Sequence, residues 1–293
     1  MTHQTVAILM PGDMGHGVGR ALREHGHEVI TCLAGRSART RGLAKAAGMR
    51  DLDSLEAVVG EADLILSILP PDAALAQASQ VATTMTAAGA RPIYVDCNAV
   101  SPMTVRKIGE VIAGAGAPFI DCGIIGLAPG KGPATRFHVS GPDTGPMEAL
   151  HGKGISVLPM GTEIGRASAL KMVYAGLTKG TMTLHTAMLL AAHQLGIYEE
   201  AVAEYADSQP VALKAMEARV PRIPADARRW TGEMEEIAAT LASVGVTPGF
   251  HEGAAEIYRV LDRTPFAAET RETLDTSRTM ADAIPVYAKH LKD

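Results

Sequence analysis

The sequence predicts an α/β domain with a doubly wound parallel sheet, followed by an all-α domain that a long helix joins to it. Three observations favour this division. Short β-branched runs alternate with helix-like stretches over residues 1–162, which is typical of βαβ units. Several of these runs are apolar throughout, as strands covered on both faces are. From residue 163 to residue 293 the strand-like runs stop and Ala-, Leu- and Met-rich stretches follow, so we place the domain boundary near residue 162.

The α/β part contains seven runs that we predict to be strands, and the first of them leads into a helix over residues 17–25. Their apolar and β-branched composition favours strands, and turn-forming residues separate them. In chain order the runs are 5–10, 28–33, 63–69, 92–96, 118–122, 137–140 and 155–158.

The helical part begins with a stretch over residues 167–195 whose apolar positions occupy nearly every side. Such a pattern predicts a helix buried in a bundle, and Gly196 is a suitable stop because glycine tolerates the left-handed conformation at a helix end. Prolines such as Pro221, Pro224 and Pro248 separate the later helices. We predict those over 199–218, 226–244, 253–264 and 272–291.

Composition excludes several classes of protein. The chain has 293 residues, a net charge of −5 and no long apolar run, so we expect neither nucleic-acid nor membrane binding. Its three cysteines match no zinc pattern. We therefore expect a soluble cytoplasmic protein without a metal site that acts on a small molecule.

A glycine-rich turn follows the first predicted strand. Strand 5–10 runs into Gly12, Asp13, Met14 and Gly15 and then into a helix. Such a turn directs backbone N–H groups and a helix dipole at a pyrophosphate. Gly12 lets the backbone approach the ligand and Gly15 allows close helix–strand packing. The sequence therefore predicts a Rossmann domain that binds a dinucleotide.

The end of the second strand indicates which dinucleotide binds. An NAD site commonly has Asp or Glu about 20 residues after the glycines, but no carboxylate stands there. Arg36, Ser37, Arg39 and Thr40 stand there instead. Arginine forks and hydroxyls are suited to a 2′-phosphate, so we predict NADP rather than NAD.

The ends of three further strands are expected to face the same edge of the sheet, where ligands of open α/β sheets bind. Leu69 and Pro70 end one strand and Asn98 follows the next. The third leads into residues 121–130. We predict Leu69, Pro70 and Asn98 as cofactor contacts.

Lys171 lies near the start of the long, apolar helix. A lysine there is costly unless it has a partner or a task. Tyr174 and Thr178 follow it at helical spacing and share its face. We predict that Lys171 transfers protons as a general acid or base.

Together these segments resemble the β-hydroxyacid dehydrogenase family, which includes 3-hydroxyisobutyrate and 6-phosphogluconate dehydrogenases and glyoxylate/succinic-semialdehyde reductases. The resemblance covers nearly the whole chain. It rests on residues 8–15, 96–102, 121–127 and 161–175, which fit the family's glycine turn, Asp-x-Ser-Thr-x-x-Pro segment, substrate segment and lysine helix. Residues 229–238 look like an uncharacterised helical C-terminal domain of a phosphogluconate-dehydrogenase-like branch.

The resemblance implies an oxidoreductase in which Lys171 is the catalytic acid or base, assisted by Asn98 and Tyr174. It implies hydride transfer between NADP and a β-hydroxy acid or a related alcohol or carbonyl compound. The residues that it implies for substrate binding are Asn98, Gly123, Ile124, Ile125, Gly126, Leu127, Lys171, Tyr174 and Thr178.

The chain departs from the family pattern in its substrate segments. Asn98 and Ala99 stand where the family has Ser-Thr, and Ile125, Gly126 and Leu127 replace Ser-Gly-Gly. The family segment binds a substrate carboxylate. We infer a remodelled cradle and, from side-chain character, a bulkier or less charged substrate.

Three alternatives stay open at this point. One is imine reduction on the same architecture, although relatives of that kind usually lack the lysine. Another is oxidative decarboxylation of a substrate with a suitable carboxylate. A third is an inactive dinucleotide-binding scaffold or sensor. The apolar helical half also predicts a homodimer whose C-terminal domains pack together.

Overall fold

An eight-stranded sheet lies at the centre of the first of two structural units. The computed structural model describes residues 4–291. The first unit ends at Met172 and the second begins at Val173, ten residues beyond the boundary that the sequence suggests. The strands are β1 (Thr5–Ile8), β2 (Glu28–Thr31), β3 (Arg50–Asp51), β4 (Leu64–Ser67), β5 (Ile93–Asp96), β6 (Phe119–Ile125), β7 (Thr135–Ser140) and β8 (Ile155–Pro159).

The strand order is β3-β2-β1-β4-β5-β6-β7-β8. Strand β1 pairs with β2 on one side and β4 on the other, so the winding direction reverses beside it. Ligands of such sheets bind in the crevice at this reversal, outside the carboxyl ends of the strands. The topology confirms the doubly wound fold that the sequence predicts.

One strand pair of this mostly parallel sheet is antiparallel. Strand β7 runs antiparallel to β6. Only residues 126–134 connect the two strands, and a parallel crossover needs a dozen or more residues. The pairing also extends β6 to Ile125, three residues beyond the predicted end. The sequence missed β3, which is too short to carry a pattern.

Helices cover both faces of the sheet and bury two apolar clusters. One cluster contains Val6 and Ile8 of β1, and the other contains Ala7 between them, as the alternation of side chains along a strand requires. The helices of this unit are α1 (Asp13–Glu24), α2 (Ala38–Ala46), α3 (Leu55–Glu61), α4 (Pro71–Ala88), α5 (Pro102–Gly114) and α6 (Gly145–Glu148).

The long helix α7 (Arg166–Gln194) crosses from the first unit into the second. Gly196 has φ +73° just after its end, as we predict for a helix stop. The helix is not buried on every side. Leu177, Leu184 and Met188 are exposed, whereas Leu189 and Leu190 are buried.

The second unit contains the helices α8 (Tyr198–Ser208), α9 (Pro210–Arg219), α10 (Pro224–Ser243), α11 (Gly249–Asp262) and α12 (Met280–Ala288). Two predicted helices differ from those observed. The stretch 199–218 breaks before Pro210, which lacks an N–H for the helix ladder. The last helix begins only at Met280, where Thr279 and Asp282 form a capping box.

None of the helices within residues 4–291 is long and apolar enough to cross a membrane. Within the same residues, no three His, Cys, Asp or Glu side chains are grouped to hold a metal ion.

Candidate active site

The glycine turn connects β1 to the start of α1 and leaves this helix end open. Gly12 is the N-cap of α1 and provides no side-chain cap. A Cβ on Gly12 would have no atom within 4 Å, whereas one on Gly15 would lie 2.6 Å from the carbonyl oxygen of Met10. Only glycine therefore fits at position 15, and an anionic group has room at position 12.

Arg36 lies across the end of β1, beside this turn. Its Nη2 donates to the carbonyl oxygen of Leu9 at 3.4 Å, and its Nη1 lies 3.9 Å from Sδ of Met10. Ser37 caps α2 by accepting from the backbone N–H of Thr40. The first turn of α2 contains no acidic residue, so this helix end is also suited to an anion.

Arg39 has a different contact from the one that the sequence suggests. Its Nη2 lies 2.8 Å from Oδ1 of Asp13 in the first turn of α1. The pair links α2 to α1, and both side chains are partly exposed. Contact between Arg39 and a cofactor stays a prediction.

Asn98 joins the ends of β4 and β5. Its Oδ1 accepts from the backbone N–H of Leu69 at 2.6 Å. Its Nδ2 donates to Oγ of Ser67 at 3.1 Å and to Oδ2 of Asp96 at 2.8 Å. Both amide hydrogens are thus used within the protein. The observed role of Asn98 is to shape the backbone at Leu69 and Pro70, and its direct contact with a substrate stays a prediction.

Asp121 on β6 caps the start of α7, a role that the sequence reasoning did not assign. Its Oδ2 accepts from the backbone N–H groups of Gly165, Ala167 and Ser168 at 2.8–3.2 Å and from Oγ of Ser140. Its Oδ1 accepts from Oγ of Ser168 at 2.7 Å. Burial raises the pKa of Asp121, although the hydrogen bonds from Ser168 and Ser140 favour its charged form.

Lys171 lies one turn beyond this cap and is half-buried. Its Nζ donates to the carbonyl oxygen of Ile124 at 2.9 Å. A Cβ on Gly123 would lie 2.6 Å from the carbonyl oxygen of Ala167 and 3.0 Å from Cβ of Lys171, so Gly123 permits the close approach of α7 to β6. The amine is thereby held at the carboxyl end of β6.

The remaining predicted substrate residues occupy two regions. Ile124 and Ile125 are buried strand residues, and Leu127 begins an exposed loop in which Gly126 has φ +117°. Tyr174 and Thr178 belong to the second unit. The hydroxyl of Thr178 donates to the carbonyl oxygen of Tyr174 at 3.1 Å.

The thiols of Cys97, which follows β5, and Cys122, in the middle of β6, are buried and adjacent. Burial and the neighbouring Cys97 side chain raise the pKa of Cys122. A buried thiol that resists ionisation is a poor nucleophile, so the pair contributes packing.

Within the second unit, Lys179 pairs with the buried Glu233. The Lys179 ammonium lies 5.2 Å from the centre of the Trp230 ring, which stacks edge-on against Tyr258. His251 Nε2 lies 3.1 Å from the carbonyl oxygen of Gly176. Trp230 and His251 therefore pack within the helical unit.

Comparison with known proteins identifies both parts of the chain. Residues 5–151 match the family described as the NAD binding domain of 6-phosphogluconate dehydrogenase. Residues 192–261 match a domain of unknown function, DUF1932.

Three similar proteins illustrate the relationship. An uncharacterised 28.5 kDa protein of Methanothermus fervidus is 31% identical over 59% of this chain, and the match spans 65% of that protein. A conserved protein described as structurally similar to 3-hydroxyacid dehydrogenases is 29% identical, with a TM-score of 0.62 over 88% of this chain and 98% of its own. The 3-hydroxyisobutyrate dehydrogenase of Mycobacterium tuberculosis is 19% identical, with a TM-score of 0.66 over the full length of both chains, and shares the fold.

Proposed function

We propose that this chain, which belongs to the β-hydroxyacid dehydrogenase family on the branch with the DUF1932 domain, is an NADP-dependent dehydrogenase or reductase. Its substrate would be a β-hydroxy acid or a related alcohol or carbonyl compound, and Lys171 would be its general acid or base. The observation that carries the proposal is the Lys171 ammonium, half-buried and 2.9 Å from the Ile124 carbonyl oxygen, at the carboxyl end of a Rossmann strand.

The residues of the first unit fit a nicotinamide dinucleotide. The uncapped start of α1, with open space at Gly12, would hold the pyrophosphate. Arg36 and the start of α2, whose first turn has no acidic residue, would hold a 2′-phosphate, which is our reason for preferring NADP to NAD. Leu69 and Pro70, whose backbone Asn98 positions, would border the nicotinamide half.

The bound cofactor would supply or accept a hydride. The side chains of the protein would transfer the proton and stabilise the developing charge. Lys171 would accept the hydroxyl proton of an alcohol or return a proton to a carbonyl oxygen. The Ile124 carbonyl oxygen orients the amine, and the Asp121 cap fixes the helix that carries it. A charged amine beside the reacting oxygen would also stabilise developing alkoxide charge.

Replacement of Lys171 tests the proposal. With a panel of aldehydes and keto acids, we expect Lys171→Met to lower the rate of NADPH oxidation by about 10²–10⁴-fold, the usual contribution of a general acid or base. NADPH binding, measured by fluorescence, should persist. Lys107→Met, at an exposed lysine on α5, is the matched control.

Two results would contradict the proposal. NADPH binding without turnover in the wild type would indicate a scaffold or sensor. Turnover of cyclic imines that survives Lys171→Met would indicate imine reduction instead.

A further inference from the structure

Three basic side chains lie on one side of the sheet: Arg136 and His138 on β7, and Lys171 on α7, which packs against this side. Gly123 and Ile125 of β6 pair with His138 and Arg136 of β7. Paired residues of antiparallel strands point to the same face, so these four residues lie on one side of the sheet. Helix α7 covers this side, because a Cβ on Gly123 would lie 3.0 Å from Cβ of Lys171. His138 therefore lies opposite Gly123 on this face, and Arg136 lies two residues from His138, towards the carboxyl end of β6.

Arg136 is exposed at the edge of this face. It forms no hydrogen bond or ion pair with any residue from 4 to 291. Ile125, directly opposite, is 3% exposed and has no polar side-chain atom. The guanidinium thus lies beside an apolar wall with its donors available, an arrangement that favours an oxyanion as its partner.

The other polar residues of this face are less suited to bind an anion. The carboxylate of Asp121 accepts from the start of α7 and from Ser140. His138 is half-buried, and both its burial and the charge of Arg136 lower its pKa, which keeps the ring neutral near pH 7. Arg136 is therefore the cation of this β6–β7 face that can meet an incoming anion.

We propose that Arg136 binds the carboxylate of the substrate whose reacting oxygen is held by Lys171. This inference rests on the proposed function and deepens it, because it names the side chain that would bind the carboxylate where Ile125, Gly126 and Leu127 replace the family's Ser-Gly-Gly. It implies an anionic substrate instead of the bulkier or less charged one that side-chain character alone suggests.

Gly123 and Arg136 are diagonal neighbours across the antiparallel pair, and such neighbours are about 7–8 Å apart. Lys171 packs against Gly123, and the side chains of Lys171 and Arg136 are both long. One small molecule can therefore touch the guanidinium and the ammonium together. An arginine fork binds a carboxylate through two parallel N–H···O bonds.

The test compares two aldehydes that differ in a carboxylate. Succinic semialdehyde carries one and butanal does not. With NADPH as reductant, we expect the wild type to prefer succinic semialdehyde, and Arg136→Gln to reduce this preference, as a ratio of kcat/KM values, about 10- to 100-fold. Arg136→Lys, which keeps the charge without the fork, should retain an intermediate preference.

The matched control is Arg23→Gln, at an exposed arginine in the last turn of α1. This end of α1 leads into the start of β2. It therefore lies at the amino ends of the parallel strands, whereas the glycine turn lies at their carboxyl ends. The control removes the same charge from the same unit and should leave the preference unchanged. An equal preference in the wild type and Arg136→Gln would overturn the inference and leave the proposed oxidoreductase activity intact.

A binding measurement decides the inference independently of turnover. In calorimetric titrations with NADP present, butyrate should bind the wild type more tightly than butyramide does, and Arg136→Gln should remove the difference. Lack of turnover with every aldehyde would count against the proposed function, but this titration would still decide the role of Arg136. Equal binding of butyrate to both proteins, or no binding to the wild type, would overturn it.

Discussion

Single side chains determine what the first unit can bind and where it can act. Arg36 lies across the end of β1, whereas Arg39 is paired with Asp13. The two arginines are therefore not equivalent, although the sequence places both after the second strand. Arg36 is the one whose head group lies at the glycine turn.

Arg36→Ala tests the assignment of NADP. We expect the KM for NADP to rise about 10- to 100-fold, because a charge-assisted contact to the 2′-phosphate is lost, while the KM for NAD changes by less than about threefold. Steady-state kinetics with each cofactor measure this, with Arg23→Ala as the control. Equal increases for the two cofactors would refute a 2′-phosphate contact.

Asp121 holds the start of α7 against the end of β6. Asp121→Asn would replace an acceptor oxygen with an N–H₂ group and leave buried backbone donors without a partner. We expect a loss of roughly 2–3 kcal/mol in the free energy of unfolding. We also expect kcat to fall, since Lys171 lies on the helix that Asp121 fixes. Asp53→Asn, at an exposed position, is the control in denaturant titrations, and equal stability of the two variants would contradict this role.

His138 reports on Arg136 through its titration. Burial and, secondarily, the charge of Arg136 lower its pKa, so we expect a value below the usual 6.5 or so in an NMR titration. Because the folded state favours the neutral ring, its contribution to stability is present above that usual value and is lost as the pH falls towards the lowered pKa. Arg136→Gln should raise the His138 pKa, and an unchanged value would show that the two groups do not interact.

At the scale of elements, α7 packs closely on β6 because Gly123 has no side chain. The Gly123→Ala methyl group would meet the Ala167 carbonyl oxygen at 2.6 Å, so α7 would have to move. We expect a destabilisation of about 1–3 kcal/mol and a lower kcat. Gly60→Ala on α3, where a Cβ meets no atom within 4 Å, should leave kcat unchanged and raise stability by up to about 1 kcal/mol, because alanine favours a helix over glycine. A Gly123→Ala protein with wild-type stability would contradict the packing argument.

The elements show where sequence patterns succeed and where they fail. Strands β1, β2, β4 and β5 carry dense apolar runs, and α7 carries a continuous apolar stretch, so their positions are predictable. Strand β3 has two residues, and the antiparallel direction of β7 depends on the length of the loop before it. Local periodicity therefore predicts neither the presence of β3 nor the direction of β7.

At the scale of the whole molecule, α7 carries an exposed stripe in its second-unit portion. Tyr174, Leu177, Thr181, Leu184 and Met188 alternate at three- and four-residue spacing, and all are exposed. This is the spacing with which two helices pack along a common seam. The stripe supports our proposal of a homodimer formed through the helical part of the chain.

We expect the protein to be a dimer in light scattering at micromolar concentration, because an apolar stripe of this length is costly to leave in water. The double variant Leu177→Glu/Leu184→Glu should shift it to the mass of a monomer. Val211→Glu, at a residue of α9 that is 84% exposed and off this stripe, should not. A monomeric wild type would contradict the proposal.

The sequence by itself determined the order of strands and helices, the glycine turn and the lysine helix, because each is encoded in local composition and spacing. The tertiary structure decided which side chains share a face or a hydrogen bond. In the folded chain, the Asn98 amide forms hydrogen bonds to the ends of β4 and β5. Arg39 pairs with Asp13, and Arg136 lies opposite Ile125 across the β6–β7 pair. These outcomes depend on contacts between residues far apart in the chain, and no local pattern specifies such contacts.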